Sequence, residues 1–249
     1  MTAATQLTSG AAAIVLASVV AAEGMETVDV VGGAIAGLSG TFSFVCFYRA
    51  LSLGAMSLVA PVTAVVGAAT PAVFGLARGE DLSAPTLVGL LVAVAAIGLV
   101  SRETPRGRHA DRLPTAALVL AVVAGLGFSV FFIALSETND EAGLWPLVVA
   151  RAVSIPVVGV VAWRVAGRVA PVDRTARALA LLTGVVEMLA NALILVALRR
   201  GPIAVASVFG SLYPVSTVVL AWLLLRERVA RAQVAGVGLA VVALVLVAV

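Results

Sequence analysis

Glu187 sits in the middle of an apolar run, Ala178 to Leu198, and has more chemistry to offer than any other residue in the chain. Gly184 lies one helical turn before it and Asn191 one turn after, so the three share a face. A carboxylate that deep in an apolar medium is costly, so it calls for a reason. It could take up and release a proton, or counter the charge of a cationic solute, with Asn191 as a neutral ligand. It could equally be half of a structural ion pair, most naturally with Arg151, which stands near one end of its own apolar run.

Two prolines also lie within apolar runs. Pro61 and Pro214 each remove a backbone donor, freeing a carbonyl about one turn earlier that can bind a solute if it faces a cavity. Thr63 lies near the first, and Ser211 and Tyr213 near the second, with Ser216 and Thr217 just beyond. These are candidates for a cavity wall, unless the kinks only shape packing and the hydroxyls bond their own helices. Glu80 and Glu227 each close an apolar run, a structural placement suited to capping the next helix or pairing with Arg78 or Arg226.

The elements that must position these residues follow from composition. The chain has 249 residues, 62% of them hydrophobic and 12% charged, with a mean hydropathy of +1.16. Soluble domains carry about a quarter charged residues. Apolar runs of about twenty residues recur along the chain, each long enough to cross a hydrocarbon core as a helix. The expectation is an all-α integral membrane protein. The net charge of +3 does not point to nucleic acid, because the basic residues are all arginines and most lie in short loops. Cys46 is the single cysteine and His109 the single histidine, so no disulfide framework, metal site or prosthetic group is implied.

Nine spanning helices are expected: 8–22, 30–48, 57–77, 85–100, 115–135, 144–165, 178–198, 203–225, and from Gln233 to the C-terminus. The longest loop, RETPRGRHADRLP, precedes the fifth. The loops at 101–114, 164–177 and 226–231, together with Arg49, hold most of the arginines, whereas the turns at 23–29 and 137–141 are acidic. That asymmetry predicts a cytoplasmic N-terminus and an external C-terminus.

The chain also repeats itself. Moving Gly54 onto Gly201, a shift of 147, brings Ala50 onto Ala197, Leu51 onto Leu198 and Thr70 onto Thr217. Glu80 then meets Glu227 and Gly89 meets Gly236. Under this shift the helix 115–135 has no counterpart in the first half. Either the chain is a nine-helix variant or a helix precedes Met1. An odd number of helices per repeat inverts the second copy, as in many secondary transporters. The domains are then 1–101, a first repeat with four helices; 102–114, an Arg-rich connection; and 115–249, a second repeat with five. The counterparts of Glu187 and Asn191 are Gly40 and Phe44, so any site at Glu187 is asymmetric.

The doubled pattern (Ala-Leu, a glycine, an apolar run with proline, a glutamate, then a helix with glycine) resembles the EamA domain of the drug/metabolite transporter superfamily. LYPV at 212–215 and RERVARAQVAG at 226–236 make the second copy the closer match. The resemblance implies a ten-helix inverted-repeat fold, here lacking its first helix. It implies a multi-pass carrier in the cell membrane that exports small metabolites, amino acids or drug-like compounds by alternating access, often coupled to protons. It implies no enzyme activity. A non-transporting membrane subunit or inactive remnant is the main rival. An intramembrane enzyme is a weaker one, since only Glu187 and Asn191 offer reactive polarity at depth.

Overall fold

The computed structural model describes residues 3–53, 56–100, 115–166, 174–224 and 230–248. Their regular structure is helical, with no strand among the described residues. The helices are α1 (Ala3–Val19), α2 (Thr27–Ser52), α3 (Met56–Ala77), α4 (Ala84–Val100) and α5 (Thr115–Ser136). After a short 3-10 turn at Asp140–Ala142 come α6 (Trp145–Ala166), α7 (Arg174–Arg200), α8 (Ile203–Gly210), α9 (Tyr213–Leu224) and α10 (Arg231–Ala248). Among the described residues six spans are long and apolar enough to cross a membrane: Thr27–Ser52, Val59–Ala77, Thr115–Ser136, Trp145–Arg164, Arg174–Arg200 and Ile203–Leu220. Ala4–Val19, Ala84–Val100 and Arg231–Val247 are shorter apolar helices. Large apolar side chains stand outward along these helices, Leu91 and Leu193 among them at 72% exposure each. An aqueous surface does not sustain that pattern and a lipid one does. The protein is a multi-pass membrane protein.

One expected helix, 203–225, is two helices. The chain turns at Ser211 and Leu212 between α8 and α9. Pro214 supplies the reason: it cannot donate to the carbonyl of Gly210, and its ring crowds that carbonyl. The Ser211 N–H bonds back to Ser207, and the Val215 N–H to Leu212, at 3.0 and 2.9 Å.

Helix starts are set by side chains that satisfy the orphan N–H groups of a first turn. Ser83 caps α4 by accepting from the Thr86 N–H at 3.3 Å. Gln233 reaches back to the Ala230 N–H at the start of α10, and Asp29 does the same for Glu26 at the start of α2.

The chain divides into two compact units, each drawing helices from both halves of the sequence. The first holds residues 1–41 and 130–200, the second 42–129 and 201–249. In the first unit α1 packs on both α6 and α7. Gly37 of α2 backs onto Ala150 of α6, while Gly184 of α7 backs onto Thr5 and Ser9 of α1. A Cβ at Gly184 would come 2.6 Å from the Thr5 carbonyl oxygen, so only glycine allows this approach.

In the second unit α4 packs along α10, and a buried core of Ala64, Ala68, Ala93, Ile97, Ala204, Val208 and Ala243 joins α3, α4, α8 and α10. The α4–α10 contact is reciprocal. Gly89 lies against Ala243 and Val247, and Gly236 lies against Ala96 and Val100. The shift of 147 turns each contact into the other. In the first unit the paired glycines 37 and 184 are related by the same shift, and so are the helices they touch, α6 and α1.

Candidate functional site

The polar residues of the first unit converge where α1, α6 and α7 meet. Because α1 and α7 approach closely at Gly184, the next turn of α7 presents Glu187 toward α1 and α6. Arg151 of α6 donates to Glu187 Oε1 at 3.2 Å, and the two side chains are 12% and 17% exposed. The same guanidinium donates through Nη1 to Gln6 Oε1 of α1 at 3.0 Å. Ser154, one turn after Arg151, donates to that Gln6 oxygen at 3.3 Å. Glu187 Oε2 is buried and has no hydrogen-bond partner among the described residues, and the buried Ser9 Oγ on α1 has none there either. Such orphaned polar atoms are rare in folded proteins, and they leave acceptor capacity here for a proton or a cationic group.

The pairing of Glu187 with Arg151 is the one expected from the sequence. Asn191 is half-buried one turn further along α7. Gln6 and Ser154 were not singled out from the sequence. Gln6 is the most polar side chain of α1, yet an amide near a helix start, like a lone serine within α6, carries no signal until the neighbours are known.

The other candidates belong to the second unit. Thr63 is buried and its hydroxyl donates across to the Ala121 carbonyl of α5 at 3.1 Å. Tyr213 donates to the Ala60 carbonyl at 3.1 Å, just before Pro61, so the two proline regions are joined through one phenol. Ser211 is buried in the turn between α8 and α9, with its Oγ close to Gly67 of α3. These contacts tie α3 to α5 and to the α8–α9 break.

Glu80 is a cap, but not of the helix that follows it. Gly79, at φ +87°, closes α3 in the left-handed conformation, with the Glu80 N–H bonded back to Gly75 at 3.1 Å. That turn aims the carboxylate at the start of α8. Its oxygens accept from the Ile203 and Ala204 N–H groups at 2.5 and 3.2 Å. The residue before α8 is Pro202, which offers no side-chain cap, so a distant glutamate supplies one and also faces the positive end of the helix dipole. Ser83 is left to cap α4. Glu80→Ala should lower thermal stability by about 1–2 kcal/mol, the loss of a charged cap, while the KM for any transported solute stays put. Melting in detergent beside a flux titration checks this. Glu227 and the arginine-rich segment at 102–114 lie outside the described residues.

A third polar cluster closes one end of the first unit and was not foreseen. Asp29 is fully buried, and besides the Glu26 N–H its other oxygen accepts from the Asn139 N–H at 2.7 Å. Arg199, in the last turn of α7, donates to the Gly143 carbonyl at 2.6 Å and to Thr138 Oγ1 at 3.0 Å, and lies 3.6 Å from Asp140. The acidic turns are thus joined as well as charged. Their signal was present in the spacing of Glu26 and Asp29, a reach-back cap hidden in what reads as an orientation marker.

A family model described as "EamA-like transporter family" matches residues 115–249, more than half of the sequence. The chain belongs to the EamA-like transporter family. Members of this family are transporters rather than enzymes. No curated protein is found to match the chain. Among solved structures, one titled "Crystal structure of protein" is similar with a TM-score of 0.72 at 18% identity, over 99% of this chain and 86% of that one. At that identity the likeness is one of fold.

Proposed function

We propose that this member is a secondary-active carrier that exports small metabolites, amino acids or drug-like compounds across the cell membrane. Nine spanning helices form two inverted repeats, 1–101 and 115–249 with the arginine-rich connection 102–114 between them. The substrate is exposed to each side in turn as the two copies rearrange. The reciprocal packing of Gly89 and Gly236 supports the inverted duplication, since contacts exchanged by a fixed sequence shift are what a two-fold relation between repeats produces.

The observation that carries the functional reading is the half-satisfied Glu187, paired with Arg151 through one oxygen and without a partner among the described residues at the other. An ionisable group held midway along a spanning helix with spare acceptor capacity suits a proton-coupling or cation-binding role, with Asn191 beside it. Thr63, Ser211 and Tyr213 are the candidate solute contacts of the second unit. The bilayer and a small-molecule substrate are the partners, with protons as the coupling ion and no cofactor.

The test is uptake into proteoliposomes of amino acids, nucleosides and cationic drugs, with and without a pH gradient. Saturable flux of any of them, accelerated by the gradient, supports the carrier. Silence across the panel favours a non-transporting membrane subunit.

A further inference from the structure

Exchange at Glu187 raises a problem that the rest of the α1–α6–α7 cluster answers. If Glu187 takes a proton or a cationic solute, Arg151 loses its carboxylate, and a buried guanidinium with no acceptor is among the costliest states a protein can hold. Among the described residues of α1, α6 and α7 there is no other carboxylate. The described part of α1 has no ionisable side chain, and α6 has only Arg151 and, more than three turns on, Arg164. The other ionisable residues of α7 (Arg174, Arg177, Arg199 and Arg200) all lie toward its ends.

What Arg151 does have is Gln6. Its amide oxygen already accepts from Nη1 at 3.0 Å while Nη2 serves Glu187. Ser154 donates to the same oxygen, and with two donors in front of it the amide has one sensible orientation, oxygen toward α6. The acceptor is neutral, which suits the task. A carboxylate at this position would hold Arg151 permanently and leave Glu187 without its counter-charge. An apolar side chain would leave Arg151 wholly dependent on Glu187.

We propose that Gln6 is the positioning residue of this pair, holding Arg151 in place whenever Glu187 is neutralised by a proton or a cationic solute. The inference rests on the carrier reading above and assigns a role within the same site.

The experiment is the pH profile of saturable flux for the wild type, Gln6→Leu and Gln6→Glu, each repeated in a Glu187→Gln background. Gln6→Leu commits Arg151 to Glu187 alone, so the midpoint of the profile should move to lower pH by about one unit, the worth of one hydrogen bond to a charged group. Gln6→Glu draws Arg151 away and adds a negative charge nearby, so the midpoint should move to higher pH by a similar amount. Neither shift should survive Glu187→Gln. A merely structural Gln6 would not give shifts of opposite sign. Shifts in the same direction, shifts that persist without Glu187, or a flat wild-type profile would overturn the inference while leaving the carrier standing. Absence of saturable flux for every solute would remove both. Should Gln6→Leu fail to accumulate in the membrane, the sign of the Gln6→Glu shift decides alone.

Discussion

Replacing Arg151 by leucine should destabilise the protein by about 3–5 kcal/mol, because the substitution strands the Glu187 carboxylate between α1 and α7. Among the described residues Glu187 has no second donor: Oε1 depends on Arg151 and Oε2 is already orphaned. Gln6 and Ser154 would lose their ordering partner as well. The double variant Arg151→Leu/Glu187→Leu should recover most of that loss, since two leucines of suitable volume replace both charges and need no acceptors. Neither variant should transport with a pH dependence. Melting of the four proteins in detergent, treated as a double-mutant cycle, gives the coupling energy directly. A double variant no more stable than the single would mean that Arg151 matters for packing along α6 and not as a counter-charge.

Removing Asp29 should have the second largest effect, a loss of about 3 kcal/mol for Asp29→Ala. The side chain is fully buried and accepts two backbone N–H bonds, one closing the first turn of α2 and one holding Asn139. Charged hydrogen bonds of this kind contribute about 1.5–3 kcal/mol each, and the Asn139 N–H is left without an acceptor when the carboxylate goes. Asp29→Asn keeps the shape and one good acceptor, so it should cost about half as much. Limited proteolysis gives a second readout: the segments 20–26 and 137–144 should become cleavable together in Asp29→Ala. Cleavage confined to 20–26 would mean that the bond to Asn139 contributes little.

Much of the fold was legible because a bilayer leaves few choices. Apolar length fixed most helices to within a few residues, as at 57–77 against Met56–Ala77. Pro214 was read as a kink within the helix 203–225, and its missing donor goes further, dividing that span into α8 and α9. Pro214 is apolar, and only the backbone shows that Ser211 and Leu212 leave the helix. The helices α2 and α7 extend beyond their apolar runs because Asp29, which caps Glu26 and holds Asn139, and Arg199, which reaches Gly143 and Thr138, find partners and so can be folded into helix despite their charge.

The site was half legible for a related reason. Glu187 stands out against an apolar background, and Arg151 was its only sensible counter-charge. Gln6 and Ser154 became visible only through the tertiary approach of α1 to α6, which sequence spacing within one helix cannot reveal. Glu80 was expected to cap the next helix or to pair with Arg78 or Arg226, whereas its carboxylate accepts from the first turn of α8. A cap acting across 123 positions leaves no local pattern, whereas Ser83 sat in full view three residues before Thr86.

The most direct test of the account is the pH dependence of flux in Glu187→Gln. Proteoliposomes with the wild-type protein should move a transported solute faster under a pH gradient than without one. Glu187→Gln keeps an acceptor for Arg151 but cannot bind or release a proton. It should move the solute at one rate, with or without the gradient. If Glu187→Gln still responds to the gradient as the wild type does, Glu187 is a structural partner of Arg151 and the coupling group lies elsewhere.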